Sequence, residues 1–232
     1  MKTLGLLGGM SYHATLLYYA QINAQVQARL GGAHSARLIL QSYDHQEMGG
    51  LFNSKQWDKA ADILVQGALG LKAAGAEGVM MCVNTAHKVA GQVESATGLP
   101  FLHIIDFTGK AIIQRGYKKV GLLGTAPVME DDFITARLSE RFDLDVLVPA
   151  DAGQRKAISD IIFGDLAKMI VTAQTKSLFQ DAIADLVKRG AQAIVLACTE
   201  LRFVLKPEEV SVPLFDTVDL HAKGAADWAL DS

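Results

Sequence analysis

Cysteine is scarce in this chain: there are 2 among 232 residues, Cys82 and Cys198, far apart in sequence. Two isolated thiols make a poor disulfide framework, and neither has a Cys or His nearby at the spacing zinc requires, so no metal site is expected. Long apolar runs are missing too. No stretch approaches the ~18 residues of a transmembrane helix, and Met1-Lys2-Thr3 leads into a strand-like segment rather than a secretory signal. A cytoplasmic protein without a membrane partner is expected. Charge of one sign is also lacking: 22 Lys+Arg stand against 25 Asp+Glu. That balance leaves no basic footprint for nucleic acid, and the expected partner is a small molecule or another protein.

What the chain does have is alternation. Short apolar runs such as "TLGLLGG", "ARLILQSY", "GVMMCV" and "PFLHIID" are separated by helical patterns from about Ser11 to Leu30 and Trp57 to Ala74. The second half continues with "KVGLLGT", a helix through "MEDDFITARLSERF", "LDVLVP", helices either side of Thr175, "AIVLAC" and "PLFDTVD". This is the signature of an α/β protein with parallel sheets. The halves also repeat each other. Gly5-Leu6-Leu7-Gly8-Gly9 matches Gly121-Leu122-Leu123-Gly124-Thr125 at an offset of 116, and the segment from Leu71 matches that from Leu186 at 115. "LPFLHIIDFTGK" from Leu99 matches "VPLFDTVDLHAK" from Val212 at 113. Three ordered matches at a nearly constant offset predict two similar lobes related by a pseudo-twofold axis, with a cleft between them.

Ligands of parallel sheets bind beyond the carboxyl ends of the strands. Gly8-Gly9-Met10-Ser11, Asn84-Thr85, Thr125 and Thr199 all fall at such ends, before helices. Glycines admit backbone amides close to an anion, and helix starts favour negative charge, so a small carboxylate suits these positions. "GLLGGM" lacks dinucleotide-binding spacing and no phosphate-loop lysine follows it. The same side chains would also serve as ordinary helix caps.

Several stretches together, "LGLLGGMS", "LGGAHSARLILQS", "CVNTAHK", "VGLLGT" and "ACTEL" among them, resemble the aspartate/glutamate racemase family, and most of all its aspartate racemase branch. The resemblance covers essentially the whole chain. It implies a cofactor-independent amino-acid racemase, an isomerase working without pyridoxal phosphate, built from two Rossmann-like lobes and usually homodimeric. The first lobe would span 1–105 with a C-terminal helix, 218–232, packed back on it, and the second 106–217. It further implies two thiols acting on opposite faces of a substrate Cα, a requirement that follows for any inversion through a planar carbanion. A thiol near a helix start is expected to titrate lower than usual.

In the family the first thiol immediately precedes Asn-Thr and the second precedes Thr-Glu or Thr-His. Cys198, before Thr199-Glu200, matches; the residue before Asn84-Thr85 is Val83, with Cys82 one position further back. The internal repeat agrees without the family, because the gap-free match from Ala76 and Ala191 sets Val83, not Cys82, opposite Cys198. Neighbouring strand residues point to opposite faces, so Cys82 is expected in the core unless a one-residue bulge turns it. Valine can neither give nor take a proton. The expected catalytic set is therefore Cys198, the substituted position Val83, and Cys82 as the weaker candidate.

Met10, Ser11, Asn84, Thr85, Thr125, Thr199 and Glu200 are the candidate substrate-binding residues, with Glu200 either tuning the thiol or favouring the next helix. His87 and His221 are supporting candidates. Phe52 stands where related racemases carry Gln, and an apolar Phe52 beside Val83 favours an apolar substituent; Gln46, Asn53, Lys55 and Arg155 are further polar possibilities. Two rival readings stay open: a one-thiol decarboxylase or isomerase of a small carboxylate, and a carboxylate-binding protein without turnover.

Overall fold

The computed structural model describes residues 1–231. It divides into two compact units: Met1–Ile104 together with the C-terminal segment from Val218, and Ile105–Thr217. The first holds β1 (Leu4–Gly8), α1 (Tyr12–Leu30), β2 (Leu38–Ser42), α2 (His45–Asn53), α3 (Trp57–Ala73), β3 (Gly78–Met81), a 3-10 turn over Thr85–Val89 and α4 (Ala90–Thr97). The second holds α5 (Ile104–Gln114, whose first residue closes the first unit), β4 (Lys119–Gly124), α6 (Ala126–Glu130), α7 (Asp132–Phe142), β5 (Asp145–Leu147), α8 (Ala152–Phe163), α9 (Ala173–Lys188), β6 (Ala193–Ala197), α10 (Leu201–Val204) and β7 (Leu214–Asp216). The last helix, α11 (Thr217–Leu230), returns to the first unit from Val218 onward.

Both sheets are parallel, ordered β2-β1-β3 and β5-β4-β6-β7. Strands β1, β3 and β6 are buried along their whole length, as sheets covered by helices on both faces require. The covering helices bury one stripe each. In α3 this is Ala60, Ala61, Leu64, Ala68 and Leu71, and in α9 Thr175, Phe179, Ala182, Ile183 and Leu186, both at the three-to-four-residue spacing of a helix face. Asp44, Asp151 and Thr172 cap α2, α8 and α9 by accepting the amides of Glu47, Gln154 and Thr175. Each such cap is worth about 1 kcal/mol.

Some expectations change. "PFLHIID" does not form a full strand: Phe101 makes one parallel bridge to Val79, and α5 begins at Ile104. The pairing geometry still matches that of β7, since the amide of Val79 donates to Pro100 O as that of Ile194 donates to Pro213 O. The single helix expected through "MEDDFITARLSERF" is broken at Asp131, whose backbone is extended, into α6 and α7. Thr175 does not separate two helices; it lies in the first turn of α9, and Thr172 is the boundary. The segment carrying Phe52, after the second strand, folds as α2.

α11 supplies a wall of the first unit. Its Trp228 occupies the space a side chain at Gly78 would fill, the Lys2 amide donates to Ala229 O at 2.8 Å, and Arg29 pairs with Asp227. No helix among the described residues is long and apolar enough to cross a membrane.

Candidate active site

In the first unit, the turn after β1 is shaped by Gly9, at φ 82°. A Cβ there would overlap the backbone of Tyr43, so only glycine fits. The Gly9 amide does not point outward for an anion, as the glycine turn predicted; it donates to Thr15 Oγ1 at 2.8 Å, and that hydroxyl donates on to Ser11 O at 3.1 Å. Ser11 is the N-cap of α1 without a side-chain cap bond, and Met10 is buried in the core. Phe52, expected beside a substrate, packs within the same core and stacks on Trp57 with ring centroids 5.6 Å apart.

The end of β3 settles which side chain is which within its own sheet. Leu7 pairs with Met81 in the first unit and Leu123 with Leu196 in the second. One residue further, the Cys82 amide donates to Leu7 O at 2.9 Å, so Cys82 occupies the register position of Ala197, and Val83 that of Cys198. Cys82 and Ala197 are 0% and 1% exposed; Cys198, at 9%, is also buried and borders the core of the second unit, and Val83 is partly buried against that of the first. Burial pushes the Cys82 thiol far above its ordinary range.

Asn84 and Thr85 follow at the start of the 3-10 turn, both buried. His87 on that turn donates from Nδ1 to Val83 O at 2.8 Å, because a carbonyl can only accept, which leaves Nε2 to accept the Ile104 amide at 3.3 Å. The ring thus ties the chain leaving β3 to the chain entering α5. His103 lies beside it, ring centroids 4.6 Å apart, and His221 at 5.8 Å. His221 donates from Nε2 to Leu102 O at 2.8 Å and accepts the Tyr18 hydroxyl at Nδ1, 2.9 Å away. Burial, then the neighbouring His87, hold its imidazole well below its usual value.

In the second unit, Thr125 is the N-cap of α6 at the end of β4, and the next amide, Ala126, is taken by Ser159 Oγ at 3.0 Å. Cys198 follows the last residue of β6. Its thiol donates to Glu200 Oε2 at 2.9 Å, and Thr199 Oγ1 donates to the same oxygen at 2.5 Å. The expected lowering of the thiol does not occur. Burial, then the Glu200 carboxylate by charge and hydrogen bond, hold it well above its ordinary value; Asp216 pushes the same way, and only the Glu200 backbone amide opposes them. The four-residue α10 behind it is too short to outweigh two carboxylates.

Asp216, at the end of β7, pairs with Arg202 at 2.6 Å, largely shielded from water. Neither was singled out from sequence, nor were Thr15, Tyr18, His103 or Ser159. One signal was present: the third repeat match sets His103 opposite Asp216, a polar residue at the same point of each half. Arg155, a candidate for a distal carboxylate, is engaged with Glu130, Pro149 O and Ala150 O. Among the described residues no group of three His, Cys, Asp or Glu side chains could hold a metal ion.

A family model described as Asp/Glu/hydantoin racemase matches residues 7–225. A crystal structure from Yersinia pestis, described as a candidate Asp/Glu racemase, is 44% identical, covers 100% of both chains and superposes with a TM-score of 0.94. An aspartate racemase homologue from Pyrococcus horikoshii is 30% identical over 99% of both chains, with a TM-score of 0.83. The broad specificity amino-acid racemase RacX of Bacillus subtilis is 26% identical over 75% of this chain and 74% of its own.

Proposed function

The chain belongs to the Asp/Glu/hydantoin racemase family, and from that premise we propose that it is a cofactor-independent enzyme moving a proton at the α-carbon of a small carboxylate, an amino acid of the aspartate/glutamate type first among them. Cys198 is the acid/base group. The observation that carries this reading is its place just past the end of β6, with its proton directed at a carboxylate. In the second unit Thr125 is a donor suited to a substrate carboxylate, while Thr199 acts through Glu200, which accepts its hydroxyl hydrogen bond; in the first unit Asn84 and Thr85 are suited to the same task. Neither metal nor pyridoxal phosphate takes part in the scheme, and the active species is a cytoplasmic homodimer, which light scattering at micromolar concentration tests.

A second reading is favoured by Val83, which holds the register position of Cys198 yet carries no proton. With one thiol in play, the chemistry becomes one-sided, as in decarboxylation of a disubstituted malonate or an isomerisation that protonates one face of an enediolate. Exchange at Cα in deuterium oxide separates the readings. Racemisation gives label with inversion, one-sided chemistry gives label with retention, and absence of exchange from every carboxylate tested would contradict both.

A further inference from the structure

Glu200 approaches the sulfur of Cys198 from two directions. Its Oε2 accepts the thiol proton at 2.9 Å, while its backbone amide faces the same sulfur. Thr199 donates to that Oε2 at 2.5 Å, fixing the carboxylate in place with a charge-assisted hydrogen bond. An ordinary helix-start glutamate would do none of this; it makes no side-chain cap bond to α10.

We propose that Glu200 is the positioning residue that keeps Cys198 in its protonated form at rest and so makes it a proton donor first, a role that rests on the proton-transfer reading above. In the donating step the S–H bond breaks and the proton joins the carbanion lone pair at Cα. The sulfur keeps the S–H electron pair as a thiolate, which the Glu200 amide receives. That thiolate lies beside a carboxylate, so like-charge repulsion drives it to recover a proton from solvent water and resets the donor.

The test reads the sulfur itself. Alkylation of Cys198 by iodoacetamide, followed across pH by peptide mass mapping, should in the native protein set in above the ~8.5 of a free thiol. Glu200→Gln keeps an acceptor oxygen but removes the charge. Its profile should move down, and labelling at pH 7 should accelerate roughly tenfold for each pH unit of that movement. Glu200→Ala should move it in the same direction, which keeps the test usable if one variant fails to fold. Profiles that coincide with wild type, or move up, would overturn the proposal. Because alkylation needs no turnover, this outcome is independent of whether the proton-transfer reading holds, which loss of Cα exchange in Cys198→Ala decides.

Discussion

Val83 carries the sharpest consequence of a single side chain. Inversion at Cα through a planar carbanion calls for two proton-bearing groups, and here the position in the register of Cys198 holds an isopropyl group. Val83→Cys should therefore raise racemisation of aspartate or glutamate through kcat rather than KM, and Val83→Thr should do so less, since a hydroxyl is a poor acid and base near neutral pH. An ordinary racemisation rate in wild type, unchanged in Val83→Cys, would assign the second proton to another group. The contrast between Val83 and Cys82 was legible in sequence, because a gap-free repeat and two-residue strand periodicity fix which neighbour points which way. The Glu200 contact was not. Spacing cannot tell whether a side chain two residues past a thiol turns back to it or out to water, and here burial first and that turn second hold the thiol above its ordinary value.

Among the elements, α11 and the 3-10 turn of Thr85–Val89 meet through buried histidines. His221 is held neutral by burial in the native protein but takes up a proton near its ordinary value, about 6.5, once unfolded. Below that value the unfolded chain binds the extra proton, so stability should fall as pH drops from 7 towards 5, by up to about 1.4 kcal/mol per unit from this group. Urea midpoints measured across that range should show the slope, and His221→Asn should flatten it; an equal slope in both proteins would assign the effect elsewhere. Helix positions such as those of α1 and α3 were readable from apolar spacing, and the break between α6 and α7 was not. Asp131 adopts an extended backbone inside a continuous helical pattern, a local choice that composition does not record. Phe101 makes a single bridge because the chain turns into α5 three residues later.

At the scale of the whole molecule, the same sheet order appears twice, β2-β1-β3 extended by the bridge at Phe101, and β5-β4-β6-β7. Repetition at an almost constant offset announced this, since insertions inside a packed βα unit are poorly tolerated while matching residues persist at strand ends. The last segment stands outside the repeat, yet the first unit depends on it: Trp228 covers Gly78, Ala229 O accepts the Lys2 amide, and His221 holds Tyr18. Truncation after Thr217 should remove protection from hydrogen exchange across β1 and β3 while sparing β4 and β6. Protection retained in β1 would show that the helix is dispensable.

The central claim is that one thiol carries the proton at Cα. It is tested most directly by following deuterium incorporation at the α-carbon of the exchanging carboxylate, in wild type and in Cys198→Ala, with circular dichroism and thermal melting recorded for both. The account expects a folded variant whose exchange falls to the uncatalysed background. A folded Cys198→Ala protein that exchanges at the wild-type rate would contradict it.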